Sequence, residues 1–227
     1  MVDKKDIWVI SIYVIWAVIT FILTFSNENL ANENLTHIFL IIFFILQLTF
    51  YFLYIRKKSN FKNNKFQFII LGAILASIVE GFYMFSLPVF DSLIINSQTS
   101  LLVGLKNYFI DLIFTIPAYL IIFTLIWIFI NKYQYKLWEY FIFFSLGQAL
   151  GDGGFFFFSN PFALVFLPYV MLNYHSMNLL PYLLSKNNLS GKNKSFMKYI
   201  IPPLIILVTY IISGILINVV GDFFGFT

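Results

Sequence analysis

Cysteine is absent from this sequence, and charged residues are scarce. Only 11% of the 227 residues are charged, whereas 60% are hydrophobic. The absence of cysteine excludes disulfide bonds, thiol catalysis and metal sites with cysteine ligands. The shortage of charge excludes an ordinary soluble domain, because a surface in contact with water needs far more polar side chains. We therefore expect the lipid bilayer to be the solvent of this chain.

Complete catalytic and cofactor motifs are also missing. The sequence has no Walker A, Gly-x-Ser-x-Gly or His-Glu-x-x-His pattern, so the enzyme classes that depend on them have no recognisable site. Two histidines without cysteine cannot form a three-histidine zinc site. Residues 199–220 contain no lysine, which leaves a retinal Schiff base of the rhodopsin type without an attachment point. The sequence therefore predicts no cofactor and no metal.

Long apolar runs dominate what is present. A hydrocarbon core roughly 30 Å thick is spanned by about 20 apolar residues. Such runs occupy residues 7–25, 38–55, 66–88, 108–130, 137–158, 162–184 and 199–220. The first run is too long for the apolar region of a removable signal peptide, so we interpret it as a span. The predicted fold is all-α: a polytopic integral membrane protein with seven transmembrane helices in a single domain, residues 1–227.

The basic residues give this arrangement an orientation. All but one of the 14 Lys and Arg residues fall on one side of the apolar runs. They are Lys4, Lys5, Arg56, Lys57, Lys58, Lys62, Lys65, Lys132, Lys136, Lys186, Lys192, Lys194 and Lys198. The positive-inside rule then places the N-terminus in the cytoplasm and the C-terminus outside, with the cell membrane as the expected location. Topology alone accounts for these bases, so we expect the lipid bilayer and no nucleic acid as partner; the oligomeric state stays open.

An internal repeat is suggested by two similar segments. Residues 80–88 and residues 152–161 both read as acid, Gly, four bulky residues, Ser, any residue, Pro, if one glycine is inserted in the second. One interpretation is a tandem helical hairpin, spans 3–4 and 5–6, which would bring Glu80 and Asp152 to related positions facing a shared interior. The other interpretation is chance similarity in a Phe-rich chain. The sequence does not decide between them.

Acidic residues within the apolar runs are the best candidates for a functional site. A charged side chain in hydrocarbon costs about 2.5–3.5 kcal/mol, so such residues normally face a protein interior and mark function. Glu80 and Asp152 are expected in the outer third of the membrane, and Asp111 near the outer end of the fourth span. For Asp111 the sequence leaves open whether it belongs to the site or simply lies in the headgroup region. A neutral residue would pack there at lower cost, which favours a functional role for Glu80 and Asp152.

Polar neighbours extend this set of candidates. Gln148 shares a helical face with Asp152, Asn173 lies near the middle of the sixth span, and His175 is a possible ligand or proton relay. A lone histidine in a helix is more often a hydrogen-bonded packing residue, and that alternative stays open for His175.

Other polar and small residues have structural interpretations. His37 is expected at the outer interface, and Glu139 in an interfacial ion pair with Lys136. Gly147 and Gly151 form a G-x-x-x-G pattern that is typical of close helix packing.

A short motif around the second acid resembles a protease signature. Ala149-Leu150-Gly151-Asp152 resembles the Gly-x-Gly-Asp signature of intramembrane aspartyl proteases, in which two aspartates share a proton as acid and base. The resemblance implies Asp111 as the second aspartate. It covers four residues, with alanine in place of the first glycine.

Three functions fit these observations. The first is a small permease or binding protein whose outer carboxyls take a cation, a proton or a cationic solute. The second is a membrane-embedded enzyme acting on a lipid, an isoprenoid or another hydrophobic small molecule, with Glu80 and Asp152 as acid and base. The third is a scaffold or assembly subunit whose acids pair with bases on a partner. Whether the protein is an enzyme is therefore open at this stage.

Overall fold

The computed structural model describes residues 4–55 and 64–226, and these residues are organised as α-helices. In chain order the helices are α1 (Lys4–Phe25), α2 (Ala31–Phe50), α3 (Lys65–Tyr83), α4 (Leu101–Lys132), α5 (Leu137–Asp152), α6 (Gly154–Ser159), α7 (Leu167–Ser185) and α8 (Ile201–Phe224). A π-helical turn, Tyr51–Ile55, extends α2. Of the bases that carry the orientation, Arg56, Lys57, Lys58 and Lys62 lie outside the described residues.

The prediction of an integral membrane protein is confirmed by the helices. Within the described residues, five segments are long and apolar enough to cross a membrane: Asp6–Phe25, Glu28–Tyr54, Lys65–Tyr83, Leu101–Lys132 and Phe196–Phe224. Helix α5, with 16 residues, is shorter than these. Helix α7 is long enough but carries several polar residues, including Asn173, His175 and Asn178.

Several predicted span boundaries are corrected by local breaks in the helices. The fifth predicted span, residues 137–158, stops at Asp152, because two glycines follow and a separate short helix, α6, begins there. The third predicted span ends at Tyr83 rather than at residue 88. A helix is expected to end before Pro88, because the residue that precedes a proline disfavours the helical conformation. The fourth begins at Leu101 rather than at residue 108, because the Ser100 side chain accepts a hydrogen bond from the backbone of Val103 and so caps the helix.

Helix α7 is the centre of the bundle. All of its residues except Val170 are buried, and it packs against α1, α2, α3 and α5. In the apolar stretches of α1 and α8, by contrast, only 11% of the residues are buried. This is expected for helices whose outer faces meet lipid. A helix enclosed by other helices needs no apolar face toward lipid, which is why α7 can carry polar side chains inside a membrane protein.

Close contact between α5 and α8 depends on two glycines. A Cβ atom added to Gly147 would lie 2.7 Å from the Pro203 carbonyl oxygen, and one added to Gly151 would lie 2.8 Å from that of Leu207. Both separations are below van der Waals contact. The predicted packing role of this G-x-x-x-G pair is therefore confirmed.

At the end of the bundle opposite the α5 C-terminus, two ion pairs replace the one expected between Glu139 and Lys136. Glu139 instead pairs with Lys198 at 2.7 Å, and both side chains are buried, with 4% and 8% of their surface exposed. Lys136 pairs with Asp6 at 2.8 Å, and half of the Lys136 side chain is exposed. The expected pair was wrong because α8 begins beside α5 and brings a distant lysine closer than the neighbouring one.

Candidate functional site

A cavity of about 730 Å³ lies beside the central helix. Among the described helices, α4 and α8 are not close-packed against α7, and residues of all three line the cavity together with residues of α1, α2, α3, α5 and α6. It lies at the end of the bundle where α3, α5 and α8 finish and where α2 and α7 begin. Its volume falls within the range of roughly 300–1,000 Å³ that is usual for small-molecule sites.

Aromatic and acidic side chains make up much of the wall. Five tyrosines and three phenylalanines line the cavity: Tyr83, Tyr119, Tyr169, Tyr174, Tyr210, Phe156, Phe157 and Phe166. Its acidic residues are Glu33, Glu80 and Asp152, and none of its described lining residues is Lys or Arg. The interior is therefore both apolar and electronegative.

The two carboxyls predicted from the sequence share this cavity. Glu80 lies one turn before the end of α3, and the Tyr119 hydroxyl of α4 donates a hydrogen bond to its Oε1 atom. Asp152 is the last residue of α5, and the Tyr174 hydroxyl of α7 donates to its Oδ2 atom at 2.7 Å. Each carboxyl is thus held by a tyrosine from a different helix. Such hydrogen bonds stabilise an ionised carboxylate without neutralising its charge.

Asn173 is the third predicted residue that lines the cavity. It precedes Tyr174 on α7 and is buried, with 6% of its surface exposed. Within the described part of the chain, its Oδ1 atom has no hydrogen-bond partner. The Tyr83 side chain contacts it and lies within electrostatic range of Glu80 and Asp152, so these residues form one polar group in the cavity wall.

His37 is buried in the cavity wall, and its predicted interfacial depth stays a prediction. Only 2% of its surface is exposed, and its ring stacks on that of Tyr169 with centroids 3.4 Å apart. The ring nitrogens lie 2.9 Å from the Glu33 carbonyl oxygen and 3.1 Å from that of Tyr169. Helix α2 begins at Ala31 and packs against α7, which brings His37 to the cavity wall.

Asp111 lies outside the cavity. Its side chain is fully buried, and its Oδ1 atom accepts a hydrogen bond from the Val89 amide at 2.8 Å. Val89 itself lines the cavity. Asp111 therefore holds the segment after α3 in place, and the structure does not bring it to the cavity surface beside Asp152.

Gln148 and His175 lie in a second polar layer, away from the cavity surface. The Gln148 amide oxygen accepts a hydrogen bond from Asn178, and its amide nitrogen lies 3.3 Å from the Tyr210 hydroxyl. The His175 ring is hydrogen-bonded to Tyr13 and to Ser145. Both residues are buried and join helices to one another, so their partners fit the packing interpretation that the sequence left open for His175.

Four tyrosines are the part of the site that sequence reasoning missed: Tyr83, Tyr119, Tyr169 and Tyr174. Tyr83 follows Glu80 by three residues and Tyr169 precedes Asn173 by four, so each shares a helical face with a polar candidate. This spacing was a usable signal. It was obscured because the chain contains 30 Phe and 14 Tyr residues, and most of them cover apolar surface.

The internal repeat stays a prediction. Glu80 and Asp152 line one cavity, as the repeat requires. However, α3 continues for a turn after Glu80, whereas α5 ends at Asp152 and leads into the short helix α6. Two carboxyls in a shared cavity do not by themselves require a duplicated hairpin.

Similarity to known proteins offers no further guide to this site. No model of a protein family matches the chain, and neither curated proteins nor solved structures give a match. Within the described residues, no group of three or more His, Asp or Glu side chains could hold a metal ion. The observations that bear on function are the surface of the cavity and its two carboxyls.

Proposed function

We propose that this protein is a seven-span permease or solute-binding protein of the cell membrane, which takes a cationic small molecule into the cavity from the outer face. The observation that carries this proposal is the pair of carboxyls, Glu80 and Asp152, in a cavity whose described lining residues include no Lys or Arg. Two acids in an apolar interior need water or a cation as counterpart. A cationic solute meets that need.

The size of the cavity supports an organic solute over a bare ion. A volume of about 730 Å³ far exceeds what a single coordinated ion occupies, and aromatic rings are suited to the apolar body of a ligand. Tyrosine faces also attract positive charge through their ring quadrupoles. Carboxyls and rings thus favour the same ligand, one that is both positively charged and partly apolar.

The orientation in the membrane is tested with single cysteines. Because the natural chain has no cysteine, each introduced thiol can be followed without background. We expect a cysteine at Asn29 to react with an impermeant maleimide in intact cells. One at Ser190 should react only after permeabilisation, because the basic segments are held in the cytoplasm. Labelling of a cysteine at Ser190 in intact cells would contradict the proposed orientation.

The site itself is tested by neutralising the carboxyls. We expect Glu80→Gln and Asp152→Asn each to weaken binding of a fluorescent cationic amine by about 10- to 100-fold, since a charged hydrogen bond contributes about 1.5–3 kcal/mol. Binding is measured in nanodiscs, and uptake of the same amine in sealed vesicles. Folding should be retained, because an uncharged side chain costs less at this position.

Asp91→Asn serves as the matched control for this measurement. Asp91 lies in the connection between α3 and α4, is exposed, and is not among the residues that line the cavity. Its neutralisation removes the same charge and should leave binding unchanged. Equal weakening by Asp91→Asn and Asp152→Asn would show a general charge effect and would contradict a specific site.

A membrane-embedded enzyme remains the second candidate, because the carboxyls and the apolar lining lie in one cavity. Glu80 and Asp152 would then act as acid and base on a lipid or isoprenoid. An enzyme converts its substrate in detergent without a sealed compartment, whereas a permease shows uptake only into sealed vesicles. Conversion of an extracted lipid that both substitutions abolish, without uptake of any cation, would favour the enzyme.

A further inference from the structure

Three hydrogen-bond acceptors in the cavity wall are left unused by the described residues. Glu80 uses one carboxyl oxygen, Oε1, with Tyr119, and Asp152 uses one, Oδ2, with Tyr174. Among the described residues, no donor is bonded to Glu80 Oε2 or to Asp152 Oδ1, and the buried Oδ1 of Asn173 also has no partner. Three acceptors on three helices therefore lack a donor.

The Asn173 acceptor is buried, and a buried acceptor without a donor costs about 1–3 kcal/mol. Glu80 and Asp152 present their free oxygens to the cavity, so a ligand that satisfies all three acceptors must supply several N–H or O–H donors at one place. Two of the acceptors belong to carboxyls, so a positively charged donor group is favoured over a neutral one. The unused side chains thus specify both the charge and the donor number of the ligand.

Building on the proposed function, we propose that the ligand carries a primary ammonium group on an apolar or aromatic body. Its three N–H bonds are matched by Glu80, Asp152 and Asn173. Its body lies against rings at the cavity wall, such as Phe156 and Phe166, which are exposed and line the cavity. Asn173 is then the residue that selects among cations, because it adds an acceptor and no charge.

Other cations fit this arrangement less well. A quaternary ammonium ion has no N–H and would leave all three acceptors without a donor, although it could still contact the tyrosine rings. A divalent metal ion usually takes about six or more oxygen ligands, whereas Glu80, Asp152 and Asn173 supply three side chains. The primary ammonium is the simplest cation whose N–H groups match these three acceptors in number.

A methylation series tests this selection. A dansylated alkylamine and its mono-, di- and trimethylammonium analogues keep one body and one charge while the number of N–H donors falls from three to zero. We expect affinity for the native protein in nanodiscs to fall stepwise, with a total loss of roughly 10- to 100-fold, as charged hydrogen bonds are removed. Vesicles without the protein measure non-specific partition of each analogue into lipid, which is subtracted before the affinities are compared.

Asn173→Leu identifies the contribution of the amide. This variant should lose affinity for the primary amine but not for the trimethylated analogue. The difference in affinity between the first and last members of the series should therefore become smaller. The measurement on the native protein does not depend on this variant folding. Equal or tighter binding of the trimethylated analogue, still weakened by Asp152→Asn, would overturn the ammonium assignment while leaving a cation site in place. Failure of every member of the series to bind would overturn the proposed function together with this inference.

Discussion

Replacing Lys198 with methionine is expected to destabilise the folded protein by about 3–5 kcal/mol, because it leaves a buried carboxylate without its counter-ion. Lys198 Nζ lies 2.7 Å from Glu139 Oε2, and both side chains are almost fully buried. The same ammonium group donates to the Gln134 carbonyl oxygen at 2.8 Å, so a second acceptor would also lose its donor. The midpoint of thermal unfolding in detergent measures the loss.

Two further variants make this prediction specific to a buried pair. Lys136→Met breaks the ion pair with Asp6, in which half of the lysine side chain but only 10% of the aspartate side chain is exposed. Because solvent screens the lysine end of this pair, the loss should be smaller than for Lys198→Met. The double variant Lys198→Met with Glu139→Leu removes both buried charges and should regain most of the lost stability. Equal destabilisation by Lys136→Met and Lys198→Met would show that burial does not determine the cost.

Replacing Gly214 with tryptophan is expected to abolish ligand binding, with a loss of more than about 100-fold, or about 3 kcal/mol. A Cβ atom added to Gly214 meets no atom of the described residues within 4 Å, and this glycine lines the cavity. An indole at this position would occupy space needed by the body of the ligand. It would lie one helical turn from Tyr210, which also lines the cavity.

The unfolding midpoint of Gly214→Trp shows whether binding is lost because the cavity is filled or because the protein is unfolded. Glycine is the poorest helix former apart from proline, so tryptophan in α8 should leave the unfolding midpoint unchanged or raise it. Gly214→Ala should retain binding, because a methyl group fills little of the cavity. Ile215→Trp places the same indole at the neighbouring position, where the side chain is half exposed. This variant should also retain binding. Unchanged affinity in Gly214→Trp would contradict a ligand site in this cavity.

The membrane class and the principal acids were predictable because they depend on local features of the chain. A long apolar run is unfavourable in water wherever its neighbours lie, so segments such as 7–25 and 199–220 could be assigned from composition alone. Glu80 and Asp152 could be selected by the same reasoning, since a charge within an apolar run is costly in any packing arrangement. The packing glycines, Gly147 and Gly151, were visible from their spacing.

Which side chains meet, and whether they meet around a cavity, depended on how the helices pack. Glu139 pairs with a lysine 59 positions away rather than with the nearby Lys136, because the start of α8 lies beside α5. His37 became part of the cavity wall for a similar reason, since α2 packs against α7. No spacing along a single helix contains this information.

The sequence by itself determined that the chain is an integral membrane protein and that acidic residues lie within its apolar runs. Only the tertiary structure decided that α7 is enclosed by other helices and that both carboxyls line one cavity beside it. Hydropathy measures the transfer of one segment into lipid, a property of that segment alone. The shape of a cavity depends on contacts between segments far apart in the chain, and those contacts form only when the helices associate.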